Sequence, residues 1–293
     1  MRLFDRWTDP ELSSPEPVDD PFFSGLFDQF KMIAADCRVV LSGEGIDNLM
    51  HFEMWPYAKD LMRRGDWRQF FAEVPRYLWI RLSPWPGVRR RVKDLFGMDP
   101  MAPAFPRWIA PDFAKRLNLE ARWKTRLRDL AVAAHPIHPE AHASLALPQW
   151  SGMFQNENAS VTRYPVEVRH PFLDLRLVDY LLALPPFPWF YEKVLLREAM
   201  AGRIPESVRV RPKTPLTSDP LVAQLQTPGA EWVDHVHWCA EMEQFVNRSA
   251  IPRLNGVKAS EQAGSAVRPF CLNFWLQSAR RVRYNLHAEA SNA

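Results

Sequence analysis

The feature that most constrains the fold is a short apolar run followed by a serine–glycine turn, RVVLSGEGIDN at residues 38–48. A Val-Val-Leu segment is typical of a strand buried on both faces, and Gly43 and Gly45 allow a tight turn after it. Leu49 and Phe52 then begin a helical apolar stripe. This strand–turn–helix junction predicts a parallel sheet whose carboxyl edge meets a helix N-terminus, where phosphate-bearing ligands bind.

Asp47 lies at the start of the predicted helix. A carboxylate in this place can hold Mg²⁺ beside a bound phosphate, whereas an aspartate near a helix start also commonly caps the helix. From the residues alone, both interpretations stay open.

Composition narrows the class of protein. A net charge of +3 is too small to indicate a polyanionic partner, so we expect no nucleic-acid binding. The N-terminus lacks the apolar core of a secretory signal, and no apolar run is long enough to span a bilayer, so we expect no membrane association. Three cysteines without a CxxC pair suit a reducing compartment. We therefore expect a cytoplasmic protein.

The rest of the chain predicts many helices and few strands. Residues 1–20 are acidic and proline-rich, and we expect an extended lead-in there, followed by one domain over residues 21–293. Pro75 is expected to break a helical pattern, and prolines 136 and 139 to prevent a regular helix. Helices are predicted at 22–35, from about Asp47, and at 113–133, 150–160, 175–184 (capped by Asp174) and 192–201. The fold class is a helix-dominated α/β domain.

Four short segments carry the candidate chemistry: LSGEGID at 41–47, EVRHPFLD at 167–174, KVLLREA at 193–199 and RPK at 211–213. Each also has a purely structural interpretation. Glu167 and Arg169 can pair as surface ions, and Asp174 can cap its helix. Lys193 and Arg197, four residues apart, can form a solvated helix face.

Together and in this order, the four segments resemble the synthetase domain of the asparagine synthetase family, which includes β-lactam synthetases and lasso-peptide cyclases. That family shows LSGEGGDE after a strand, then E-x-R-x-PFLD, K-x-x-L-R-x-A and R-x-K. The resemblance covers roughly residues 17–216. It implies the distal part of a Rossmann-like, adenine-nucleotide α-hydrolase-like domain with a parallel sheet. It also implies ATP and Mg²⁺ as cofactors, because members adenylate a carboxylate and let an amine attack the acyl-adenylate.

The resemblance also implies roles for individual residues. The nucleotide would be lined by Ser42, Gly43, Glu44 and Gly45, and Mg²⁺ would be held by Asp47. The catalytic residues would be Lys213, Lys193 and Glu44. Cations suit this chemistry because charge builds on the phosphate oxygens and on the departing pyrophosphate.

Two departures from the family pattern matter. GGDE is Gly45-Ile46-Asp47-Asn48 here, so one carboxylate has become an amide, and we expect weaker metal binding. The family's SGGxDS loop, which cradles the ATP phosphates, does not occur in the 293 residues, and Arg2 follows Met1 where a glutaminase would have its cysteine. We therefore expect the distal part of such an enzyme, lacking its first strands and unable to adenylate alone. A separate chain would supply the nucleotide-binding half or ammonia.

Three functions stay open. Conversion of aspartate to asparagine is the default, and a cyclase or ligase for a peptide or secondary metabolite is the alternative within the family. The third is a non-catalytic scaffold or partner subunit that binds another chain through an exposed sheet edge.

Overall fold

A computed structural model describes residues 2–82, 104–132, 135–212, 218–254 and 260–291. Its α-helices are α1 (Phe23–Asp36), α2 (Ile46–Leu49), α3 (Met54–Arg64), α4 (Trp67–Leu82), α5 (Pro111–Arg116), α6 (Leu119–Val132), α7 (Pro139–Leu145), α8 (Gln149–Asn156), α9 (Ala159–Thr162), α10 (Leu175–Ala183), α11 (Val194–Ala199), α12 (Glu206–Arg209), α13 (Pro220–Leu225) and α14 (Ser260–Ser291). Short 3₁₀ helices cover Pro10–Leu12, Pro171–Leu173, Tyr191–Lys193, Glu231–His235, Ala240–Gln244 and Arg248–Ala250.

The sheet consists of two parallel strands, β1 (Val39–Leu41) and β2 (Glu167–Arg169), in the described part of the chain. This arrangement confirms the predicted helix-dominated α/β class with a parallel sheet. Val39 is 42% exposed and Leu41 68% exposed, so the prediction of a strand buried on both faces is wrong. Among the described residues, nothing covers the face that carries these two side chains, whereas Val40 on the other face is partly buried.

The core near the chain ends joins the N-terminal segment to α14. Leu3, Phe4 and Trp7 are buried and belong to the same apolar cluster as Phe270. The Ser278 hydroxyl donates a hydrogen bond to the Trp7 carbonyl at 2.9 Å. The first 20 residues therefore form part of the core rather than an extended lead-in, because their apolar side chains find partners on a distant helix.

Three further differences from the predicted helices involve Pro75, Pro139 and Asn118. Pro75 lies inside α4, where the buried neighbours Val74 and Tyr77 anchor the helix in an apolar cluster and compensate for the missing hydrogen bond. Pro139 begins α7 at the first helical position, where proline's missing N–H has no cost. The helix predicted at 113–133 is instead two helices, separated at Asn118 with a φ of +52°.

None of the helices in the described residues combines the length and the hydrophobicity that a membrane span requires.

Candidate functional site

The turn after β1 connects two of the four predicted segments. The Ser42 amide donates to the carbonyl of Arg169 at 2.8 Å and extends the pairing of the strands. Gly45 has a φ of +95°, and a Cβ atom built there would lie 2.5 Å from Cδ2 of Leu173. Because only glycine fits both conditions, the turn at 42–45 packs directly on the PFLD segment. A Cβ on Gly43 would contact nothing within 4 Å, so only the second glycine is required by the backbone.

The charged residues around PFLD have the structural roles that the sequence predicted. Glu167 and Arg169 form an ion pair at 2.8 Å, and both side chains are exposed. Asp174 caps α10 by accepting a hydrogen bond from the Arg176 amide at 2.9 Å. The hydrogen bonds from the Arg176 side chain and amide lower the pKa of Asp174 to about 2.

Lys193 connects the segment at 193–199 to the segment at 41–47. Its ammonium group forms an ion pair with the carboxylate of Asp47, which lies 146 residues earlier in the chain. The prediction that Lys193 and Arg197 form a solvated helix face is therefore wrong. Lys193 precedes α11 in a left-handed conformation with a φ of +58°, and Glu192 before it has a φ of +47°.

The fourth segment is held by Arg197, whose guanidinium group donates to the backbone carbonyls of Arg209 and Arg211. Lys213, the predicted catalytic lysine of this segment, lies outside the described residues.

Of the predicted nucleotide-binding residues, Ser42 accepts a hydrogen bond from the Glu44 amide at 3.2 Å, and the Glu44 side chain is exposed.

A shallow pocket of about 280 Å³ lies next to Asp47 and is lined by Asp47, Asn48, His51, Glu140 and Ser144. His51 Nε2 lies 2.9 Å from Glu140 Oε2. This hydrogen bond raises the pKa of His51 above its ordinary value and lowers the pKa of Glu140. The pocket that contains the predicted metal ligand is therefore also lined by a hydrogen-bonded histidine–carboxylate pair.

Glu53 holds the helix that supplies Glu140 to this pocket. Its buried carboxylate accepts hydrogen bonds from the amides of Glu140 at 2.9 Å and Ala141 at 3.0 Å, and so caps α7. Burial raises the pKa of Glu53. Glu53, His51 and Glu140 were not among the predicted site residues. No local pattern reveals them, since Glu53 lies 87 residues from the amide of Glu140 that it binds.

The oxygen ligands near Asp47 suit one kind of Mg²⁺ site. The described residues contain no group of three or more His, Cys, Asp or Glu side chains that could hold a metal. Mg²⁺ is commonly bound by one or two carboxylates together with substrate phosphates. Asp47 supplies one carboxylate, with the Asn48 amide next to it in the sequence, and this fits an ion that takes its other ligands from a bound phosphate.

Residues 11–277 match the sequence model of the family described as asparagine synthase. No curated protein sequence matches the chain.

Proposed function

The chain belongs to the asparagine synthase family, and on that premise we propose that it forms amide bonds with ATP through an acyl-adenylate. The family is one of amide-forming ligases. We take aspartate as the default carboxylate, with ammonia as the amine, and the cytoplasm as the place of reaction. A peptide or secondary-metabolite carboxylate is the alternative within the same chemistry.

The contact between Asp47 and Lys193 carries this proposal. The Asp47 side chain is 61% exposed and the Lys193 side chain 35% exposed, and pairs this accessible contribute at most about 1 kcal/mol to stability. The two segments already meet in an apolar cluster that contains Ile46, Leu195 and Leu196, so the exposed charged pair is not needed to hold them together. A lysine beside a carboxylate at the end of a parallel strand suits a ligand that carries both phosphate and metal.

In the proposed reaction, a carboxylate oxygen attacks the α-phosphorus of ATP, and pyrophosphate leaves. The amine then attacks the acyl carbon, and AMP leaves. Lys193 neutralises phosphate oxygens, and Lys213 does the same at the adenylation step. The turn at 42–45 lines the nucleotide, and Glu44 lies beside the reacting carboxylate. Mg²⁺, held by Asp47 and Asn48, supplies further neutralisation of the diphosphate when it is bound.

We further propose that a polypeptide outside these 293 residues supplies the SGGxDS loop. The exposed apolar face of β1 supports this, because Val39 and Leu41 offer a surface on which additional strands or a helix can pack. The same face favours a second candidate function, a non-catalytic partner subunit that uses it only for association.

Exchange of labelled pyrophosphate into ATP, measured with aspartate, tests the proposal. We expect no exchange from the purified chain alone. Exchange is expected after co-expression with a polypeptide that carries the SGGxDS loop, and it should fall at least about a hundredfold in Lys193→Ala and in Lys213→Ala. Lys115→Ala, which changes an exposed lysine outside the four segments, is the matched control.

The outcomes separate the parts of the proposal. Exchange by the chain alone would contradict the need for a second polypeptide. Exchange that persists in both lysine variants would contradict the site. Association with the loop-bearing polypeptide without exchange, for aspartate and for peptide carboxylates alike, would favour the non-catalytic subunit.

A further inference from the structure

One guanidinium group links the backbone segments that carry the two predicted catalytic lysines. Arg197 donates from Nε to the Glu192 carbonyl at 2.9 Å, from Nη1 to the Arg209 carbonyl at 2.5 Å and from Nη2 to the Arg211 carbonyl at 2.9 Å. Glu192 immediately precedes Lys193, and Arg211 stands two positions before Lys213. A planar group with donors in a fixed fork determines the relative positions of all three carbonyls.

The contact is reciprocal. The guanidinium group of Arg209 donates from Nη1 to the carbonyl of Arg197 at 3.3 Å. Glu206 holds Arg209 in place with two hydrogen bonds of 2.7 Å, and Glu198 lies 3.6 Å from it. The two segments are thus connected in both directions by charge-assisted hydrogen bonds.

The backbone that Arg197 holds is strained. Glu192 and Lys193 are consecutive residues in the left-handed region, which side chains other than glycine rarely adopt. Such residues persist only where the surroundings hold them, and they cluster at functional sites. The hydrogen bond from Nε of Arg197 to the Glu192 carbonyl is one of the contacts that hold this pair.

We propose that Arg197 is a positioning residue that sets the spacing between the segment of Lys193 and the backbone at residues 209–211. This inference rests on the proposed function, since it assigns to Arg197 the task of holding Lys193 in place for the diphosphate and of fixing the backbone that leads into Lys213 in the sequence. A lysine at position 197 has a single ammonium group, which cannot reach three carbonyls in a fixed plane.

The first test needs no catalysis. Hydrogen exchange of residues 206–212 and the rate of acetylation of Lys193 are measured in wild type, Arg197→Ala, Arg197→Lys and Arg203→Ala. Arg203 is an exposed arginine close to the same helix and serves as the matched control. We expect both rates to change about tenfold in the Arg197 variants and to return towards wild type when guanidinium is added to Arg197→Ala. Arg203→Ala should resemble wild type.

The second test uses the complete enzyme and the pyrophosphate exchange assay. Arg197→Ala should lower kcat about a hundredfold and leave the KM for ATP within about threefold, and guanidinium should restore part of kcat. Absence of exchange in wild type would count against the proposed function alone, since the first test is independent of it. Unchanged hydrogen exchange and acetylation in both Arg197 variants would overturn the inference. If Arg197→Ala does not fold, Arg197→Lys gives the same readouts.

Discussion

Two regions of the molecule are held together in different ways. At one end, the N-terminal segment, α13 and α14 bury aromatic and aliphatic side chains in one apolar cluster. Around β1, a smaller apolar cluster joins α2, α10 and α11. The motif segments are connected in addition by the Asp47–Lys193 pair, by the hydrogen bonds of Arg197 and by a glycine turn, and much of their surface is exposed. The larger apolar cluster therefore dominates stability at one end, whereas the motif segments combine a smaller apolar cluster with polar contacts that position their charged side chains.

The comparison shows where substitutions should have their effects. Side chains in the apolar cluster should determine whether the chain folds, and side chains at the motif segments should determine what the folded chain does. The exposed strand β1 belongs to the second region, since its apolar side chains add little to the core of the chain.

The largest expected effect is in the apolar cluster. Phe270 is buried and packs against Trp238, with ring centroids 4.9 Å apart. Phe270→Ala should lower the free energy of unfolding by about 3–5 kcal/mol, because it leaves a cavity among aromatic rings. Denaturant unfolding measures this loss, and Trp79→Ala, at a residue that is 81% exposed, should change it by less than about 0.5 kcal/mol. Equal losses in the two variants would contradict the role of Phe270 in the core at the chain ends.

A smaller effect is expected where a buried carboxylate supports the pocket. Glu53→Ala removes the acceptor for the amides of Glu140 and Ala141 and should cost about 2–3 kcal/mol. Glu53→Gln keeps one oxygen acceptor and should cost less. Thermal unfolding of both variants checks this order, and a loss that is larger for the glutamine variant would refute the capping role.

The two glycines of the turn provide a matched pair. Gly45→Ala should cost about 1–2 kcal/mol, because alanine is strained at a φ of +95° and its Cβ meets Leu173. Gly43→Ala should be nearly neutral, since its Cβ has open space. The difference between the two unfolding free energies is the measurement. A cost for Gly43→Ala as large as that for Gly45→Ala would show that the turn has another geometry.

Removal of the ion pair should separate stability from activity. Lys193→Ala should change the free energy of unfolding by less than about 1 kcal/mol, because the pair is accessible to solvent. The same variant should lose pyrophosphate exchange in the complete enzyme. An unfolding loss of several kcal/mol would mean that the contact serves the fold instead.

The smallest expected effect is a pH dependence. The hydrogen bond to Glu140 raises the pKa of His51, so protonated His51 stabilises the fold at pH values below its ordinary pKa. That contribution is lost as the pH rises through the raised pKa. Titration of His51 by NMR should show a midpoint above the ordinary histidine value, and Glu140→Gln should move the midpoint down. An unchanged midpoint would contradict the pairing.

Local features of the fold could be predicted from the sequence, because neighbouring residues determine them. The strand and turn at residues 38–45 and the Asp174 cap are set by apolar runs, glycine and a side chain two residues from its partner. The order of the four segments was sufficient to identify the family. The structure brings the first three together and joins Arg211 of the fourth to Arg197.

Features that depend on distant partners could not be predicted. The packing of Trp7 on α14, the capping of α7 by Glu53 and the burial of Tyr77 beside Pro75 join residues that no sequence pattern relates. The exposure of Leu41 was not predicted, because an apolar strand indicates packing on both of its faces. Among the described residues, no element packs on the face that carries Leu41. The roles assigned to Ser42, Gly43, Glu44, Gly45, Asp47, Lys193 and Lys213 stay predictions.

Zero-length carbodiimide cross-linking, followed by mass spectrometry of the peptides, tests most directly whether the four segments build one site. The reagent joins carboxylates to amines only where they are in contact. We expect Asp47 to be coupled to Lys193, and Lys213 to be coupled to Asp47 or Glu44. Coupling of Lys213 only to carboxylates outside the four segments would contradict a single site for the departing diphosphate.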